Sequence, residues 1–206
     1  MAANSRFFSH IRIWIIAIPI IMVTVMPLVD LDWIYTVSST EKESNFQLFG
    51  DEQYERIEQD TQSQFVNWWM KSGIYQKTLD EHRTGSDSFT VGRPVNGFVN
   101  SYFGNLWKMI YRAQYRLHVA YQWLLGGAIF IAAFMFDGWQ QRNIKLKTFG
   151  YSHPLKFHVV THAMFLILGF SVTLCFIPMS VTPMFMLTGT TVIAALGWKM
   201  MESFQA

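Results

Sequence analysis

Hydrophobic and polar positions along this chain are sorted into blocks. Residues 13 to 29, 117 to 136, 159 to 177 and 184 to 198 contain no Asp, Glu, Lys or Arg. Two of these runs approach the roughly 20 apolar residues that carry a helix across a bilayer. Between the first and second runs the pattern changes. From Asp51 the chain reads DEQYERIEQDTQSQFVNWWMKSG, with acids crowded at the start, Lys71 near the end and Gly73 after it. That is the charge and capping order of a helix, and Tyr54, Ile57, Phe65, Trp68 and Trp69 give it an intermittent apolar face. Residues 73 to 94 are broken by glycine, proline and small polar residues and read as an irregular link. From Val95 onward Phe98, Tyr102, Leu106, Met109, Ala113 and Leu117 recur at three- or four-residue spacing, with no proline before Phe136. This spacing predicts one long helix that enters the second apolar run as a stalk.

Composition changes the picture only once it is located. Charged residues are 15% of the 206, and hydrophobic residues are 51%. The four uncharged runs account for the shortage; the rest of the chain is ordinarily charged. A single soluble globule is excluded by the runs, and disorder by an aromatic content of 17%. The formal charge of +2 does not argue for a nucleic-acid surface, and no basic run or phosphate-binding loop supports one. Direct nucleic-acid binding is not expected. The single cysteine, Cys175, lies in the third run, allows no intrachain disulfide and reads as a small buried hydrophobe.

Orientation follows from the short loops. The first run comes after Arg6, His10 and Arg12 and ends in Asp30 to Trp33 with no small-residue cleavage site, so it reads as an uncleaved anchor with a cytoplasmic N-terminus. Pro19 and Pro27 inside it are tolerated in a spanning helix. The connector from Asp137 to His158 holds Arg142, Lys145, Lys147 and Lys156 against one acid, the strongest positive-inside signal in the chain. Pro178 to Pro183 form a hairpin on the opposite face, and Lys199 returns the tail to the cytoplasm. The expectation is an all-α membrane protein with four transmembrane helices and both termini cytoplasmic. Its parts are 1–30 with the first helix, a largely helical external segment 31–116 ending in the stalk, and 117–206 with three helices and a basic loop 137–158. Trp14, Trp33, Tyr35, Trp123, Trp139 and Trp198 stand near the predicted ends of the runs, where aromatic rings anchor at the interface.

Candidate chemistry is sparse. His158 and His162 stand at i and i+4 on one helical face, with His153 just before them, the spacing at which two histidines can share a metal or one can ligate haem. The pair lacks the further ligands such sites use: Val159 stands where HExxH has its acid, and no Cys or carboxylate accompanies it. No metal or other cofactor is therefore expected, with His158 and His162 the only candidates. The apolar runs hold no ionisable residue besides His118 and His162, which argues against an ion-coupled transporter. No nucleophile elbow or related spacing is present, so no enzymatic activity is expected. Gly126, Gly127, Ala128, Gly169, Ser171, Gly189, Ala194, Ala195 and Gly197 permit close helix approach, within one subunit or between subunits.

One stretch carries a family likeness. Asp137 to Phe165, DGWQQRNIKLKTFGYSHPLKFHVVTHAMF, resembles the signature of the DUF4400 family of integrative-element and conjugative-plasmid membrane proteins, which includes TraJ-like conjugal transfer proteins. There an Asp-Gly ends one span, a basic segment follows, and an aromatic-Gly-Tyr-Ser-x-Pro turn leads to a histidine-bearing helix. The matching residues are Asp137 and Gly138, Arg142 to Lys147, Phe149 to Pro154, and His158 with His162. The resemblance implies a bacterial multi-pass inner-membrane component of conjugative DNA transfer, with 31–116 periplasmic. It would work beside the coupling ATPase of a type IV secretion system. On that reading the protein is a non-catalytic scaffold, possibly a homo-oligomer, whose partners are the bilayer and other secretion subunits. Its candidate contacts are Trp68, Trp69, Asp137, Arg142, Lys145, Lys147, Tyr151 and His153; Asp137 and Arg142 could pair if the span continues that far, as a capped helix end would also have them do. The alternatives are an entry-exclusion protein and a haem or quinone electron carrier.

Overall fold

The computed structural model describes residues 9, 11–29, 32–83, 93–148, 154–177 and 179–204, and every regular element among them is helical. The first apolar run is divided. A π-helical stretch Ile11–Ala17 precedes helix α1, Ile18–Val25, and a 3-10 turn Met26–Leu28 follows. Proline explains the division. Pro19 has no amide hydrogen to give and its ring crowds the carbonyl four residues back, so wider turns ahead of it relieve the clash, and Pro27 falls in the tighter turn. The run is not among the helices long and apolar enough by themselves to cross a membrane; those are the three described below.

Helix α2, Ser39–Phe65, is 27 residues long and breaks at Gly50, whose φ of 73° lies in the left-handed region that glycine enters at no steric cost. The helix expected from Asp51 is thus the second half of an element that already begins at Ser39. A π-helical turn, Val66–Met70, carries the two tryptophans, and Gly73 closes it with φ 75° and a hydrogen bond from its amide to the Met70 carbonyl. Gly73 therefore ends the helix, as the pattern predicts. The link read as irregular is partly ordered, since Ile74–Arg83 forms helix α3; residues 84–92 lie outside the described residues.

Helix α4, Arg93–Lys147, has 55 residues, about 80 Å at 1.5 Å per residue. It is the predicted stalk and second span in one piece, but it runs 11 residues past Phe136. The segment expected as a basic loop, 137–158, is helix as far as Lys147 and helix again from Pro154. Nothing in Asp137 to Lys147 breaks a helix, and Lys145 and Lys147 in the last turn suit its negative end. Helices α5, Pro154–Leu174, and α6, Pro183–Ser203, each have 21 residues and begin at proline, whose missing amide hydrogen costs nothing in a first turn. Among the described residues, the helix containing Ser101–Lys147, Leu155–Leu174 and Pro183–Ser203 are the three with the length and apolarity to cross a membrane. Their hydroxyl groups are satisfied locally: Thr161, Ser171, Thr173, Thr190 and Thr191 each donate to the carbonyl four residues back.

The chain divides into two compact units. One comprises residues 19–119 with the loop 175–182. Its apolar centre is Ile34, Tyr35 and Met109, with Val23 and Leu106 against them. Tyr35 is fully buried there and donates its hydroxyl to the Val29 carbonyl, so it is core and not an interfacial anchor. A second centre forms around Trp107. The rings of Trp69 and Tyr75 lie 5.4 and 5.3 Å from it and that of Phe65 6.1 Å away, and the indole nitrogen donates to Thr78 Oγ1 at 3.0 Å. The other unit comprises residues 1–18, 120–174 and 183–206. In it α5 packs along α6 and the Ile11–Ala17 turns meet α5. Several of the small residues are used inside the subunit: a Cβ at Gly127 would touch Thr190, one at Gly197 would touch Met135, and one at Gly138 would collide with the Trp198 carbonyl oxygen. Gly126 and Gly189 face open space.

Candidate functional site

The most heavily engineered part of the first unit is a buried ionic network. Five consecutive residues of α4, Arg112 to Arg116, are buried, so the helix is covered on every side at this turn. Arg116 and Glu41, next to the start of α2, form a bidentate pair: Nε to Oε1 is 2.9 Å and Nη2 to Oε2 is 2.8 Å. The guanidinium also donates to the carbonyl of Ile177 at 2.7 Å and to that of Met179, while Glu41 accepts the Val181 amide at 3.1 Å. One turn earlier Arg112 donates to the carbonyls of Ile34 and, at 2.7 Å, Phe176. Asn45 donates to the Tyr115 hydroxyl at 3.1 Å. A fixed five-donor fork suits this work, because one side chain can hold a carboxylate and several carbonyls together. Two arginines and one glutamate therefore clamp the loop 175–182 between α2 and α4.

On the outer part of this unit, Lys42 donates to Glu58 Oε1 at 2.9 Å and Tyr54 to the same oxygen at 2.8 Å. Burial pushes the Glu58 carboxyl up, but the two hydrogen bonds and the Lys42 charge outweigh it and hold the group below its ordinary value. Burial, aided by the hydrogen bond to Glu58, raises the Tyr54 hydroxyl. A cleft of about 500 Å³ opens beside Tyr35, Lys42, Phe65, Tyr75, Trp107 and Tyr111.

In the second unit the end of α4, the start of α5 and the end of α6 meet. Asp137 Oδ2 accepts the Trp198 indole N–H at 2.6 Å, and Arg142 lies over the Phe204 ring, 5.2 Å from its centre. Asp137 and Arg142 do not pair with each other, although α4 continues past both. Five residues advance about 140° around a helix beyond one full turn, so they point to different neighbours. Lys145 and Lys199 both bind the buried Glu202. Lys147 is exposed; Tyr151 and His153 lie outside the described residues. His158 is exposed with its ring 5.8 Å from that of Phe157, and His162 is half-buried on the same helix. Among the described residues no three His, Cys, Asp or Glu side chains gather as a metal site would require. Of the two external candidates, Trp68 is 60% exposed, whereas Trp69 packs against Trp107.

Sequence reasoning missed Arg112, Arg116 and Glu41. The available signal was two arginines at i and i+4 directly before an uncharged run, a costly place for charge without buried partners.

The described residues thus form a helical protein with three helices long and apolar enough to cross a membrane and a unit closed by one buried ion pair. The chain belongs to the DtrJ-like family, described as IncC plasmid conjugative DNA transfer protein DtrJ-like, which matches residues 34–205. The match takes in the clamp and all three span-length helices. It agrees with the likeness of Asp137 to Phe165 at the level of conjugative DNA transfer, under a different family name from DUF4400 or TraJ. No curated protein and no solved structure matches the chain.

Proposed function

We propose that the protein is a non-catalytic, multi-pass inner-membrane subunit of a conjugative type IV secretion system, a scaffold that meets the coupling ATPase during DNA transfer. The observation that carries this reading is the match to a conjugative DNA transfer family over residues 34–205. The geometry supports a building role: Arg116 is engaged with Glu41, and both Arg112 and Arg116 with the chain's own carbonyls. In this reading the first apolar run is a fourth span and both termini are cytoplasmic. The clamp fits one part of that topology: residues of 19–119 hold the loop 175–182, and two spans between them bring the chain back to the same face. The five cations Arg142, Lys145, Lys147, Lys156 and Lys199 then mark the cytoplasmic face.

Deleting the gene from donor cells tests the role. Transfer frequency should fall and return with the wild-type gene, and in-cell crosslinking should join the protein to the coupling ATPase. Unchanged donor transfer with raised uptake by recipients would instead establish entry exclusion. A periplasm-active reporter fused after Phe49 and a cytoplasm-active one fused after Lys147 should both be active; the reverse pattern would overturn the topology.

A further inference from the structure

Three helix ends converge on Phe204. Arg142 near the end of α4 lies over its ring, and Phe157 from the first turn of α5 meets it edge-on with centroids 5.6 Å apart, while Phe204 itself follows α6. Five cations belong to these ends, against the two carboxylates Asp137 and Glu202. The structure divides the cations into two groups. Lys145 and Lys199 are engaged by Glu202. Among the described residues Arg142, Lys147 and Lys156 meet no carboxylate; Arg142 lies over the face of Phe204, and its Nε is buried with no hydrogen-bond partner. Lys147 and Lys156 are exposed.

What surrounds these three cations selects the partner. Trp139, Ile144, Leu146 and Leu155 are exposed among them, the last two to 61% and 66%. A nucleic acid or an acidic protein segment would answer the charge and leave those side chains in water. A phospholipid answers both, with its phosphate on the cations and its glycerol and upper chain carbons on the apolar side chains. Arg142 and Lys147 follow the uncharged run 117–136 by 6 and 11 residues, about 9 and 16 Å along α4, and Lys156 precedes the run 159–177 by three residues, so all three lie on the headgroup side of the hydrocarbon core.

We propose that Arg142, Lys147 and Lys156 form a binding surface for the headgroups of anionic phospholipids, and that Lys145 and Lys199 have no part in it. The proposal rests on the membrane-spanning reading above. It is tested with the full-length protein in mild detergent, by native mass spectrometry with phosphatidylglycerol or phosphatidylcholine of the same chains. The wild type should retain phosphatidylglycerol preferentially. The K147Q/K156Q variant, which alters two exposed side chains, and the R142Q/K147Q/K156Q variant should lose about fivefold in retention per charge removed. K71Q/K77Q, which changes charge in the other unit, should behave as wild type. Equal retention of the two lipids by the wild type would overturn the proposal, as would full retention by the triple variant or an equal loss in K71Q/K77Q. Alkaline washing of cell membranes separates the two readings. If wild type and triple variant both stay in the membrane, a failed lipid preference counts against this surface alone; release of the wild type would remove the membrane-spanning reading and this proposal with it.

Discussion

Arg116 and Glu41, 75 residues apart in sequence, meet as a bidentate ion pair with side chains only 3% and 1% exposed. Neither could be buried alone, because an uncompensated charge in a low-dielectric interior costs several kcal/mol. The pair thus ties the start of α2, the middle of α4 and the loop after α5 into one condition for folding.

Removing one partner should therefore be more damaging than removing both. Glu41→Ala or Arg116→Ala is expected to lower stability by about 3–5 kcal/mol, the range for a broken buried pair. Replacing both with apolar residues, as in E41L/R116M, should recover part of that loss. Thermal unfolding in detergent followed by circular dichroism measures it; a double variant no better than the worse single one would show that the carbonyl contacts matter more than the pair.

The glycines make a sharper contrast. Gly138→Ala should force α4 and α6 apart, since the new Cβ would meet the Trp198 carbonyl oxygen, a backbone atom that cannot rotate away. A loss of about 1–3 kcal/mol is expected. Gly126→Ala meets nothing within 4 Å and should be neutral or stabilising by up to about 1 kcal/mol through helix propensity. The melting temperature should fall in Gly138→Ala and stay level or rise in Gly126→Ala.

Trp107 joins α4 to the turn bearing Trp69 and to α3. Trp107→Ala should cost about 3–5 kcal/mol through the cavity and the lost ring contacts. Trp107→Phe should retain most of the packing and lose about 1 kcal/mol with the bond to Thr78. Near-ultraviolet circular dichroism of the variants reads the aromatic cluster directly.

Acid should weaken the same unit slightly through Glu58. Its folded value lies below the ordinary carboxyl value of 4.5, so its contribution is complete above that pH and disappears as pH falls through the lower folded value. The pair with Lys42 is more than a third exposed on both sides, so screening limits the effect to less than about 1 kcal/mol. Unfolding measured from pH 6 to pH 3 should show a shallower loss in Glu58→Gln than in the wild type; equal slopes would assign the acid sensitivity to other carboxylates.

The amino-acid pattern by itself determined the elements whose signal is local. Uncharged runs, the apolar repeat from Val95, the absence of proline before Phe136 and the glycine at 73 all act within a few turns of helix, and the start of α4, α5, α6 and the end of the Trp68–Trp69 turn lie where they place them, whereas α4 runs on to Lys147. The aromatic-Gly-Tyr-Ser turn and the basic stretch before it likewise pointed to conjugative transfer, because a motif is itself a local property. Tertiary structure decided which polar residues matter. Arg112, Arg116 and Glu41 look like ordinary charges in the linear sequence, and only the approach of the loop 175–182 removes their water and makes them a clamp. The same reason sends Asp137 to Trp198 and Arg142 to Phe204, and separates Lys145 and Lys199, which share Glu202, from Arg142, Lys147 and Lys156. Desolvation and pairing are properties of what packs against a side chain, and distant segments of the chain supply that.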